Sequence, residues 1–141
     1  MKIKKIDHIC FVVRDLEKAK ETYGKDLGLV PDVEYVAPEE SIKVARYYAG
    51  EVAIELMEPT TPDSEVGRFL KHKGEGFFLI SYKVDNVQDV LKELKDKEVQ
   101  LIDEKPRHLF GNSYAFIHHP AQLFSTLTEV LDGEFNINAK P

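Results

Sequence analysis

A chain of 141 residues, 43% aliphatic or aromatic and 31% charged, buries about two-thirds of its unfolded surface in one compact domain or two small subdomains, and its composition excludes disorder. A formal net charge of −6 excludes a nucleic-acid surface, which has to neutralise phosphates with Lys and Arg. The single cysteine, Cys10, excludes an internal disulfide and any cysteine-pair zinc site.

The chain opens on "IDHICFVV", whose branched and aromatic residues predict a strand. A helix follows, with Asp15 as N-cap, Leu16, Ala19, Tyr23 and Leu27 on one face, and Gly28 as its end. Strands are expected over Leu29–Val36, Ser41–Ala49 and Val52–Glu58. Residues 1–58 therefore form a first βαβββ module. Pro59, Pro62 and three glycines break the pattern, so 59–76 is read as a linker with one short helix around Val66, Phe69 and Leu70.

The second module, 77–131, repeats the first. Its strand is "FFLISYKV" (Phe77 to Val84) and its helix runs from about Val87 to Lys97. Three strands follow, near Val99 to Asp103, Asn112 to Ile117 and Ser125 to Leu131, and 132–141 is a tail. Superposed, the copies match Ile9 with Ile80, Phe11 with Tyr82, Val13 with Val84 and Leu16 with Val87. They part at one position, where His8 faces Leu79. Neither four-stranded sheet buries its apolar face alone, so the modules are expected to pair.

Strand parity sorts the candidate residues. His8, Cys10 and Val12 share one face of the first strand, while Ile9, Phe11 and Val13 suit the helix-packed face. In "VAIELME", Ile54 and Leu56 take one side and Ala53, Glu55 and Met57 the other; in "STLTEVL", Leu127 and Glu129 go together. Glu55 and Glu129 are counterparts in the last strand of each module, and a mid-strand carboxylate with apolar neighbours is expensive to bury without a partner. The basic runs "RFLKHKG" and "EKPRH" are candidates to hold an anionic ligand, beside the plainer reading of solvated loop charge.

"DHICFVV", "AIELMEP", "FLKHKGEG" and "STLTEVL", with "LIDEKPR", resemble the vicinal oxygen chelate (glyoxalase/bleomycin resistance/dioxygenase) superfamily over about Lys5 to Leu131, and within it methylmalonyl-CoA epimerases and lactoylglutathione lyases. The resemblance implies an α+β fold of two paired βαβββ modules forming a curved eight-stranded cup. It also implies a divalent metal (cobalt, nickel, zinc or manganese) held by His8, Glu55 and Glu129. Its fourth ligand falls on Leu79, which cannot bind, so the metal is held more weakly. The implied chemistry is isomerase or lyase proton abstraction next to a carbonyl, with Glu129 as base or acid, on a small acyl or carbonyl substrate such as a CoA thioester. Some relatives carry a glutamate at the position of Val44, and here Glu39 and Glu40 fall in a turn.

Three readings of the triad stand side by side: a three-ligand metal centre, two carboxylates sharing a proton, or a structural pairing of His8 with one carboxylate. The last corresponds to a metal-free small-molecule-binding protein of the same fold. An extradiol dioxygenase is disfavoured because its iron wants a second histidine. His72 and His108 are expected at the surface, and His118 and His119 in a turn. No run approaches a membrane span and "MKIKKIDH" lacks a signal-peptide core, so no membrane or nucleic-acid partner is expected, and a cytoplasmic location and a homodimer through edge strands are.

Overall fold

The computed structural model, which describes residues 1–118 and 126–140, runs β1 (Lys5–Val12), α1 (Leu16–Leu27), β2 (Val33–Ala37), β3 (Ile42–Ala49), β4 (Val52–Pro59), α2 (Glu65–Lys73), β5 (Gly76–Lys83), α3 (Val87–Asp96), β6 (Arg107–Leu109), β7 (Asn112–Phe116) and β8 (Leu127–Gly133). The order strand, helix, three strands occurs twice, with α2 between. The eight strands form one mixed sheet in the order β2-β3-β4-β1-β5-β8-β7-β6, the α+β class expected. Spatially the chain divides into unit I, Met1–His8 with Leu79–Pro141, and unit II, Ile9–Phe78. The divisions fall inside β1 and β5 and not in the 59–76 connector. No described helix is long and apolar enough to cross a membrane.

Unit II is built on α1. The Asp15 carboxylate accepts from Lys18 N, capping the first turn, and Gly28 closes the last at φ 67°, where a side chain would be strained. Gly28 N and Leu29 N return to Gly24 O and Tyr23 O, so the chain reverses and Leu29 packs into the core. That core gathers Leu16, Ala45, Tyr47 and Leu56, flanked by Phe11, Val13, Ala19, Tyr23 and Ile54. Leu27, expected on the packed face, is 61% exposed because the reversal hands its place to Leu29. β2, β3 and β4 pair antiparallel, with Arg46 directly opposite Glu55 and Tyr35 opposite Val44.

In unit I, Asn86 caps α3 by accepting from Asp89 N. Val87, Val90, Leu91 and Leu94 cover Ala115, Ile117 and Val130, as the helical spacing predicted. β5 runs parallel to β8, while β7 pairs antiparallel with both β8 and β6. The strand expected near Val99 to Asp103 is not one: Leu101 makes a single bridge to His118. Two features stop a ladder there. Glu98 takes φ 61°, and the Asp103 side chain, in place of a backbone carbonyl, accepts from Phe116 N at 3.0 Å. The edge strand falls instead at β6, joined to β7 by Phe110 and Gly111, both at positive φ.

Gly67 in α2 shows how tightly the connector is seated. A Cβ there would collide with the carbonyl oxygen of Thr61 and stand 2.7 Å from that of Pro62, both rigid backbone. Gly67→Ala should therefore cost about 1–3 kcal/mol in denaturant unfolding, although alanine is the better helix former.

Candidate functional site

The parity of β1 is as expected. His8, Cys10 and Val12 are buried, at 7%, 2% and 0% exposure, while Ile9, Phe11 and Val13 are partly covered. His8 closes unit I, and Cys10 belongs to unit II.

In unit I, His8 Nε2 lies 3.4 Å from Glu129 Oε1. The other ring nitrogen, Nδ1, is 2.8 Å from Asp7 Oδ2, and an ionised carboxylate only accepts, so Nδ1 carries the hydrogen. Asp7 therefore fixes the ring and aims Nε2 at Glu129. Glu129, 5% exposed in the middle of β8, accepts a hydrogen bond from Ser81 Oγ at 2.7 Å across the parallel β5–β8 pair. Leu79 is 3% exposed and faces Leu127, so the fourth implied ligand position is a hydrocarbon contact.

In unit II, Glu55 is 5% exposed and bonded through both oxygens. Oε1 accepts from Cys10 Sγ at 3.4 Å, while Oε2 accepts from Tyr35 Oη at 2.8 Å and Arg46 Nη1 at 2.9 Å. Arg46 also donates to Tyr48 Oη at 3.3 Å and lies over its ring. Burial works against the Arg46 charge, but Glu55 and Tyr48 together outweigh it and hold the guanidinium above its ordinary pKa. Tyr35 is pushed well above the ordinary phenol value, first by burial and then by Glu55. It stays a neutral donor.

Within unit I His8 stands against Glu129, and within unit II Glu55 is bonded to Cys10, Tyr35 and Arg46. Asp7, Ser81, Tyr35 and Arg46 were not singled out from the sequence. Arg46 carried a usable signal, being a charge at the parity of buried Val44, whereas the other charge of the strand, Lys43, takes the opposite, exposed parity. Val44 is fully buried, and Glu39 and Glu40 stand in the turn after β2. His72 is exposed, and His108 is exposed and bonds Ser113 Oγ at 2.9 Å. Of the pair expected in a turn, His118 makes the bridge to Leu101, while His119, like Ser125, lies outside the described residues.

The donor chemistry fits a divalent ion only in part. A ring nitrogen aimed by a carboxylate, and carboxylates each held by a hydroxyl, phenol or guanidinium, are how metal ligands are normally oriented. Against that, Leu79 offers no donor and Arg46 already compensates Glu55.

An α+β chain carrying two buried mid-strand carboxylates, one of them beside a histidine, defines the class of small-molecule sites built from repeated βαβββ modules. The family model described as Glyoxalase/Bleomycin resistance/Dioxygenase superfamily matches residues 7–116, and the chain belongs to that superfamily. It is 35% identical to the uncharacterised protein YqjC of Bacillus subtilis, over 92% of this chain and 93% of that one. It is 29% identical to the mitochondrial methylmalonyl-CoA epimerase of Bos taurus, over 89% of this chain and 73% of that one. A solved methylmalonyl-CoA epimerase in complex with methylmalonyl-CoA and ammonium is similar at TM-score 0.86 and 28% identity, covering 94% of this chain and 96% of that chain.

Arg46→Met strands a buried carboxylate and should destabilise by about 3–5 kcal/mol, whereas adding Glu55→Met should recover most of the loss, because a well-packed apolar pair replaces a buried ion pair at little cost. A double-mutant cycle in denaturant checks this.

Proposed function

We propose that the protein is a proton-transfer isomerase of the epimerase type acting on a small acyl-CoA thioester. The observation that carries the reading is the contact of His8 with Glu129, held from one side by Asp7 and from the other by Ser81. The substrate class is taken from the relatives named as epimerases, one of them bound to methylmalonyl-CoA.

Removing the proton next to a thioester carbonyl builds negative charge on the carbonyl oxygen, so the site needs a base at the carbon, a positive or donating group at the oxygen, and a second acid that returns a proton to the carbon from the opposite face. Glu129 is the base. Its carboxylate, bonded by Ser81 and facing His8, takes the proton. His8, oriented by Asp7, meets the developing charge. Burial around both strengthens each interaction by excluding water. Of the expected ligands, His8 and Glu129 within unit I would hold a divalent ion such as cobalt, nickel, zinc or manganese, which would polarise the carbonyl as a Lewis acid, while Leu79 would offer it no donor.

A metal-free binding protein of the same fold is the second reading, favoured by one observation: Arg46 balances Glu55 without any ion. Isotope exchange separates the two. In deuterated water the wild-type protein is expected to place deuterium on the carbon between the two carbonyl groups of methylmalonyl-CoA, and Glu129→Gln to slow this by about 100-fold or more, read by mass spectrometry. Exchange no faster with protein than without it leaves the binding protein as the account.

A further inference from the structure

Resting on the thioester reading, we propose that His118 is a further catalytic residue, whose Nε2–H donates to the thioester carbonyl oxygen while Glu129 works on the neighbouring carbon. The placement follows from the ladder of unit I. Phe116 opposes Glu129, and Ile117 N donates to Thr128 O at 3.1 Å, so the antiparallel pairing continues one residue beyond β7. Ile117 belongs to the core packed against α3. Side chains alternate along a strand, so His118 takes the other face, the one that carries Phe116 and Glu129, and comes opposite Leu127. Leu127 opposes Leu79, and His118 is therefore the polar end of an otherwise hydrocarbon row.

The fold makes little use of the ring. His118 is held by its bridge to Leu101, a backbone contact that any residue can supply. Its Nδ1 is buried and has no hydrogen-bond partner among the described residues. A neutral imidazole carries hydrogen on one nitrogen only, and a stranded buried N–H is the costlier arrangement, so the hydrogen sits on Nε2. His8 takes the opposite tautomer, with its hydrogen on Nδ1 toward Asp7. Nε2 of His8 donates only when that ring is protonated, whereas His118 offers an N–H from a neutral ring.

Spacing lets the two groups share one substrate. Diagonal neighbours across an antiparallel pair stand roughly 7–8 Å apart, which leaves room for a ligand atom about 3 Å from each side chain. The carbonyl oxygen and the carbon that loses its proton are joined through a single atom, so a base on β8 and a donor just past β7 serve them together. Negative charge builds on that oxygen only as the proton leaves. A donor aimed there therefore stabilises the transition state more than the bound thioester. His118 gives up no proton in this step; its hydrogen bond strengthens and the ring stays neutral.

Deuterium exchange into methylmalonyl-CoA, read by mass spectrometry beside calorimetric binding of the same thioester, separates this role from a structural one. His118→Ala should slow exchange by about 100-fold, the worth of one such donor, and weaken binding by no more than about threefold. His118→Gln, which keeps an N–H, should recover about tenfold of the lost rate. The nitrogen-15 spectrum of wild-type protein, which needs no variant, should show the His118 hydrogen on Nε2. Exchange in His118→Ala at the wild-type rate, equal losses in the two variants, a binding loss as large as the rate loss, or hydrogen on Nδ1 overturns the assignment. If the wild-type protein gives no exchange, the thioester reading itself has failed and the assignment falls with it.

Discussion

A carboxylate placed in the middle of a buried strand has to be satisfied by the protein, because water does not reach it, and the described residues include two, Glu55 and Glu129. Both are met in the same way from within their own units. In unit II, Cys10 on β1 donates to Glu55 on β4; in unit I, Ser81 on β5 donates to Glu129 on β8. Cys10 and Ser81 are the same position of the repeat, two residues past His8 and Leu79. The duplicated module thus supplies each last-strand glutamate with a donor from its first strand, and the remaining partners set the two apart.

The difference lies in what supplies positive charge. Glu129 meets His8, which carries charge only when protonated, and Asp7 holds that ring in one orientation. Glu55 meets Arg46, whose charge is permanent, and Tyr35, a phenol that burial keeps neutral. The proposed base role of Glu129 rests on that difference.

Much of this was legible in the sequence, for reasons local to the chain. Alternation in "DHICFVV" put His8, Cys10 and Val12 on one face, and Asp15 and Gly28 bracketed α1, because both signals rest on periods and backbone angles that a segment carries by itself. What escaped depended on pairing. Leu27 lost its packed place to Leu29 through the reversal at Gly28, and the strand expected near Val99 was displaced because the Asp103 side chain reaches Phe116 N. The same limit hid Arg46, Tyr35 and Ser81, since register across strands decides that they meet Glu55 and Glu129, and register is not written in any one of those strands.

The claim on which the account turns is that His8 and Glu129 form the working centre while the Arg46–Glu55 pair is a fixed support. Cobalt titration followed by calorimetry and by the visible spectrum addresses it directly. The account predicts one ion per chain, lost in His8→Ala and retained in Cys10→Ala. Failure of the wild-type chain to take up cobalt, nickel, zinc or manganese, or uptake indifferent to the loss of His8, would contradict it.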